Sequence, residues 1–153
     1  MGPGPHGRRL APPGVFFQQL KGAHMGYLND RILDLGLTVL TTEANRLDIC
    51  HTEPATYAQA TGTYSLGHKA GLSVGAPAAR TPSGRKVTVA AFEDGTVTGT
   101  STSSATDAEF WAITDTVNSR LLAAGPLTTA QYMTADNTFR IAAFDIWLAG
   151  LDG

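Results

Sequence analysis

Residues 85–148 are dominated by short runs of β-branched and aromatic residues that alternate with turn residues. Residues 86–92 and 96–101 flank the tripeptide Glu93-Asp94-Gly95. Asp-Gly is a strong signal for a tight turn, because it readily supplies the positive φ angles that such turns need. The pattern therefore predicts a first β-hairpin whose turn lies at residues 93–95.

Two further stretches of the same region have strand character. Residues 108–114 and 120–124 flank the polar segment 115–119, which predicts a second antiparallel pair. Residues 138–148 carry apolar and aromatic side chains on both faces. Because an edge strand usually has a polar face, this stretch is predicted to form one long strand in the middle of the packed structure.

The segment before these strands has helical periodicity. Leu28, Ile32, Leu35 and Val39 recur at helical spacing, and Leu33, Leu37 and Leu40 widen this apolar stripe. The pattern predicts an amphipathic helix over residues 29–40 lying against the sheet. A short strand is predicted at 46–51, loops and irregular structure at 55–71 and 76–84, and a long connection at 126–137.

A chain of 153 residues is long enough for one domain with a substantial core. We therefore predict a mainly β fold over residues 25–153, an antiparallel β-sandwich or jelly-roll-like domain with one short N-terminal helix. An Ig-like or β-tulip arrangement is the alternative.

Residues 1–24 differ from the rest of the chain, because proline and glycine exclude both a helix and a central strand there. The segment is either an extended basic arm or a leader from a start site placed too far upstream, with Met25 as the true start. For the arm, Val15, Phe16 and Phe17 are the predicted apolar anchor on a neighbouring subunit, and Arg8 and Arg9 supply positive charge.

The charge distribution argues against nucleic acid as a partner. Residues 1–24 contain three basic residues and no acid, whereas the remainder contains eight basic and 13 acidic residues and is therefore net negative by five. Phosphate binding needs clustered Lys and Arg. The sequence shows no apolar run of roughly 20 residues, so we expect a soluble, non-secreted protein without a membrane partner. Only 16% of the residues are charged, which suits a surface covered by another chain.

Motifs that would indicate an enzyme are missing from the sequence. It has no phosphate-binding glycine loop, no GxSxG and no HExxH, and its histidines are scattered. Cys50 is the single cysteine and is predicted to be buried. We therefore predict no catalytic residue, no cofactor and no metal site. Asp145 interrupts an apolar run, so it is expected to pair with Arg120 or Arg140 or to face an interface. For Trp111 and Trp147, core packing is favoured over a sugar-stacking platform.

Several segments carry a resemblance to a known group of proteins. In chain order they read NDRILDLGL, RLDICHTEP, TYSLG, SGRKVTV, WAITD and NSRLL, followed by residues 139–146. The set resembles small structural proteins encoded by tailed bacteriophages, over residues 28–146.

The resemblance implies a virion component. The expected function is that of a head decoration (cement) protein, which binds the outer surface of the major capsid protein lattice, often as a homotrimer with an extended N-terminal arm. The expected location is the capsid surface of the virion, and the host cytoplasm during assembly. The alternatives are another virion part (tail tube, head–tail connector or baseplate) and a carbohydrate-binding host-attachment module that uses Trp111 or Trp147.

Overall fold

The computed structural model describes residues 30–150, and this part of the chain is mainly antiparallel β-structure with one α-helix near its start. The predicted class, a mainly β antiparallel fold with one short helix, is therefore confirmed, while the predicted arm lies outside the described residues. The elements are α1 (Asp30–Glu43), β1 (Arg46–Cys50), a π-helical turn (Gln59–Thr63), β2 (Ser65–Ala70), β3 (Ala78–Ala79), β4 (Arg85–Val89), β5 (Phe92–Val97), a 3₁₀ turn (Ser104–Thr106), β6 (Ala108–Asp115), β7 (Arg120–Gln131), β8 (Thr138–Ile141) and β9 (Phe144–Leu148).

The strands form two sheets. The six-stranded sheet has the order β7-β6-β1-β2-β5-β8, and the three-stranded sheet has the order β3-β4-β9. All strand pairs within these sheets are antiparallel. In the described chain, β7 and β8 are the edges of the larger sheet, and β9 is an edge of the smaller one.

A single main core joins both sheets and the helix. Leu47 and Ile113 enter it from the six-stranded sheet, Val87 and Val89 from the three-stranded sheet, and Leu37 from α1. All five are at most 3% exposed. The core therefore holds the two sheets and the helix together as one unit.

The helix was predicted at nearly its observed position, but its buried face is different from the leading stripe of the sequence pattern. Leu33, Leu37 and Leu40 are buried, whereas Leu35 is 64% exposed and Val39 38% exposed. Apolar residues surround much of this helix, so periodicity alone does not identify the face that packs.

The first predicted hairpin is wrong. Strands β4 and β5 are consecutive in sequence but belong to different sheets, and Glu93-Asp94-Gly95 lies inside β5. The ladder between β5 and β8 is irregular between Phe92 and Gly95. The Phe139 ring lies directly over Gly95, where a methyl group would clash with it. Glycine is used here for close approach of an aromatic ring rather than for a turn.

The predicted long last strand is also wrong, because residues 138–148 form two strands in different sheets. Strand β8 ends at Ile141 and β9 begins at Phe144, so only Ala142 and Ala143 separate them. Both strands are sheet edges in the described chain. The pattern of apolar residues on both faces arises because the chain changes sheets, not because it runs through the centre of one.

The second predicted hairpin is confirmed as β6 and β7, with Ser119 in the turn at a φ of 55°. Strand β7 continues through Pro126 to Gln131, so the predicted connection begins later than expected. Strand β2 lies in a segment predicted to be irregular, because its sequence contains no β-branched or aromatic residue to signal a strand.

Candidate functional site

An exposed apolar surface surrounds strand β9. Trp147 is 51% exposed and Leu148 43%, and Leu35 and Val39 are exposed on the neighbouring helix. A methyl group built on Gly36 would lie 3.9 Å from Leu148 Cδ1, so the helix and the end of β9 share one surface. Consecutive side chains of a strand point to opposite faces, so Leu148 lies on the helix side of the sheet and Trp147 on its outer face. We call the four exposed side chains Leu35, Val39, Trp147 and Leu148, which lie on the two sides of this edge strand, the β9 edge surface.

The position of β9 explains why these side chains are exposed. Side chains alternate along a strand, so Phe144 and Ile146 pack against the core while Asp145 and Trp147 point away from it. Strand β9 pairs with β4 on one side only, and its other edge has no strand partner within residues 30–150. A free edge can accept a further strand from another chain.

A cation covers part of the Trp147 ring. The Arg80 guanidinium carbon lies 3.6 Å from the centroid of that ring, which is a cation–π contact. Arg80 also donates a hydrogen bond of 2.9 Å to the carbonyl oxygen of Ser83. The indole is thus held in a fixed orientation while about half of its surface remains open.

Beside Trp147, the outer face of the same sheet carries a charged network. Asp145 accepts hydrogen bonds from Lys86 Nζ at 2.7 Å and from Thr88 Oγ1 at 2.6 Å. The bond from Lys86, followed by that from Thr88, lowers the pKa of Asp145 below its ordinary value. Asp145 therefore forms an ion pair, as expected, but the predicted partners Arg120 and Arg140 are wrong, because the cation is Lys86.

The two arginines have other carboxylate neighbours. Arg120 Nη1 lies 3.4 Å from Glu43, and Arg140 Nη1 lies 3.8 Å from Glu93. Asp145 instead uses residues that face it across the β4–β9 pair, where Thr88 is its direct cross-strand neighbour.

A groove of about 1260 Å³ opens beside β8 and the start of β9. Both edges of the six-stranded sheet line it, β7 through residues 126–131 and β8 through residues 138–141. Ile49, Val97, Trp111 and Phe144 contribute apolar side chains to it. The ion pair of Glu93 and Arg140 lies at its rim, because both side chains are more than 80% exposed.

Trp111 and Trp147 have different environments. The Trp111 ring packs against Phe144 with 4.9 Å between ring centroids, and it also covers Gly125 on the opposite strand. Core packing is therefore confirmed for Trp111 and wrong for Trp147, whose ring reaches solvent. Trp147 was singled out from the sequence, but its exposure on the outer face of an edge strand was not predicted.

The potential metal ligands and the cysteine of the described residues were predicted to form no site. Residues 30–150 contain no set of three or more His, Cys, Asp or Glu side chains placed to hold a metal ion. Cys50 is buried as predicted, and burial raises the pKa of its thiol to about 12. No described helix is long and apolar enough to cross a membrane.

The predicted interface residues of the arm, Arg8, Arg9, Val15, Phe16 and Phe17, lie outside the described residues. No protein family model, curated protein or solved structure matches this chain.

Proposed function

We propose that this chain is a bacteriophage head decoration (cement) protein, which binds the outer surface of the major capsid protein lattice and stabilises the head. The observation that carries the proposal is the β9 edge surface, where large apolar side chains are exposed on both sides of an edge strand, Trp147 on the outer face and Leu148 on the helix side. Large apolar side chains exposed at a free strand edge are typical of a protein–protein contact. The resemblance to bacteriophage structural proteins supplies the partner.

The exposed part of Trp147 is large enough to contribute strongly to binding. A tryptophan buries about 150–250 Å² when fully covered, so its 51% exposed side chain offers roughly 100 Å². At about 25 cal/mol per Å², covering it contributes roughly 2.5 kcal/mol, or close to a hundredfold in affinity. Arg80 pre-orients the indole, which lowers the entropy lost on binding.

The N-terminal segment extends this contact in the proposal. The positive charges of Arg8 and Arg9 would add an electrostatic contact with the lattice. We further propose a homotrimer, because a repeated lattice rewards several simultaneous contacts from one particle.

Binding to purified capsids tests the proposal. The wild-type protein should sediment with mature capsids that lack it and should not bind free coat subunits. The double variant Trp147→Ser/Leu148→Ser should bind at least about a hundredfold more weakly. The matched control is Val117→Ser, which removes a side chain that is 82% exposed in the turn between β6 and β7, outside the β9 edge surface.

The proposal fails if the wild-type protein does not bind capsids, or if both variants bind as it does. Virions that lack the protein should lose their DNA sooner than complete virions on heating or chelation, so equal survival also counts against it. Immunogold labelling of the tail instead of the head would assign the protein to another virion part.

A carbohydrate-binding host-attachment role is the second candidate, and the half-exposed indole of Trp147 favours it. Here Trp147→Phe should keep most of the binding to host surface polysaccharide, because a ring remains for stacking, and Trp147→Ser should abolish it. Polysaccharide binding without capsid binding would select this function over the first.

A further inference from the structure

The groove between β7 and β8 leaves part of the hydrophobic core uncovered. Five of the aromatic and aliphatic residues that pack against the main core are only partly buried and also line this groove: Trp111, Leu127, Phe139, Ile141 and Phe144. Tyr132 at its margin is 66% exposed. Core-contacting rings that remain open to water favour an occupant that covers them.

The backbone around the groove is suited to binding an extended segment. Strand β8 pairs with β5 on one side, and its other side has no strand partner within the described part of the chain. On the opposite wall, the pairing of β7 with β6 contains a bulge. Pro126 pairs with Phe110 and Gln131 pairs with Ala108, so four residues of β7 lie opposite one residue of β6. An added strand could form main-chain hydrogen bonds with the β8 edge and place alternate side chains on the apolar floor.

We propose that residues 15–20 of the same chain occupy this groove as an additional β-strand. Their sequence, Val15-Phe16-Phe17-Gln18-Gln19-Leu20, has no charge, no proline and no glycine, although both flanks contain such residues. In an extended strand each face carries two apolar side chains and one glutamine. The groove has the same mixture of apolar and polar groups. Beside its apolar floor lie the polar side chains of Thr128, Thr129, Gln131, Asn137 and Thr138.

Length and volume agree with this occupant. An extended six-residue segment is about 20 Å long, and the chain between residues 20 and 30 can span up to about 33 Å before α1 begins. The start of α1 lies near the Leu148 end of β9, because Asp34 contacts Arg85, the cross-strand neighbour of Leu148, whereas the groove lies at the Phe144 end. The linker therefore has to pass the length of β9, about 13 Å, which is within its reach. The groove volume of about 1260 Å³ exceeds the roughly 300–1000 Å³ that is usual for small-molecule pockets.

This docking would act in the free protein and does not depend on the proposed capsid binding. It anchors the segment on its own domain and leaves residues 1–14, with Arg8 and Arg9, beyond the anchor. Because the test uses the isolated full-length protein, its failure would leave the capsid-binding result unaffected.

Photo-cross-linking of the full chain tests the location. With p-benzoylphenylalanine placed at Phe17, irradiation should join this position to residues 126–133 or 138–145, as identified by mass spectrometry of the monomer band. The matched control places the same probe at Leu10, outside the proposed strand, and should give at least about tenfold less of these products. A mixture of isotope-labelled and unlabelled chains distinguishes products within one chain from products between chains.

Cross-links to the groove within one chain support the proposal. Cross-links to the groove of a second copy would overturn it in favour of strand exchange between subunits, and cross-links only to other regions would overturn it outright.

Hydrogen exchange provides a second measurement. In Phe16→Asp/Phe17→Asp, the amides of residues 126–131 and 138–141 should exchange about tenfold faster than in the wild-type protein. Those of the central strand β1 should be unchanged, which also shows that the variant is folded. Equal exchange at the groove in a folded variant would overturn the proposal.

Discussion

Removing one member of the ion pair between Arg46 and Asp48 should destabilise the domain more than most single substitutions. Asp48 is fully buried, and its two oxygens accept bonds of 2.7 Å from Arg46 Nε and Nη2. Ser65 Oγ donates a further bond of 2.6 Å. Breaking a buried, hydrogen-bonded pair costs about 3–5 kcal/mol, because the remaining charge is left without its partner.

The cost should depend on which partner is removed. The Arg46 side chain is 22% exposed and can be hydrated when Asp48 is absent, whereas Asp48 has no contact with solvent. We therefore expect about 3 kcal/mol for Asp48→Ala and about 4 kcal/mol for Arg46→Ala. The double variant should lose about 4 kcal/mol rather than the sum, which corresponds to a coupling energy of about 3 kcal/mol.

Urea unfolding at pH 7, followed by tryptophan fluorescence, measures these free energies of unfolding. The control is the same cycle on Lys69 and Asp94, which form a contact of equal length, 2.7 Å, but whose carboxylate is 72% exposed. Solvent screening should make the control coupling several times smaller. A coupling between Arg46 and Asp48 below about 1 kcal/mol, or no larger than the control value, would refute the reasoning.

Three further predictions concern packing, reactivity and pH. In Gly125→Ala, the new methyl group would lie 2.6 Å from Trp111 Cζ2, so thermal unfolding should show that the free energy of unfolding falls by about 1–3 kcal/mol. Gly62→Ala is the control, because no atom lies within 4 Å of its new methyl group and no clash should destabilise it. Cys50, with a pKa raised to about 12, should react with a thiol reagent at pH 8 only when the protein is unfolded in denaturant; rapid labelling of the native protein would contradict its burial. Hydrogen bonding, above all from the Asn118 side chain, lowers the pKa of Asp115 from its ordinary value of 3.8. The ionised Asp115 therefore stabilises the folded protein above about pH 4, and this stabilisation is lost as the pH falls through the lowered pKa. Asp115→Asn should therefore reduce the dependence of Tm on pH in that range, and an unchanged profile would exclude the contribution.

The sequence predicted those parts of the fold that depend on neighbouring residues. The pair β6–β7 was predictable, because its two strands are consecutive and a polar turn joins them. The Asp94-Gly95 dipeptide gave an equally strong turn signal, but the structure places it inside β5. A local signal cannot show that β4 and β5 enter different sheets, since that choice depends on contacts with β9 and β2, which are distant in sequence.

The candidate site was harder to predict than the fold class. Trp147 and Leu148 were assigned to a central strand because their segment is apolar on both faces. Their exposure follows from β9 being an edge, which is a property of the sheet order and not of the strand's own sequence. Leu35 and Val39 were leading positions of the predicted apolar stripe but are exposed, whereas the leucines at 33, 37 and 40, which were predicted only to widen the stripe, form the buried face.

The two alanines between β8 and β9 have a mechanical consequence. Because Ala142 and Ala143 are the whole connection, a pull on β9 passes directly along the covalent chain into the last strand of the other sheet. A subunit held by the β9 edge would therefore transmit a pulling force to the six-stranded sheet, with almost no free length of chain to absorb it.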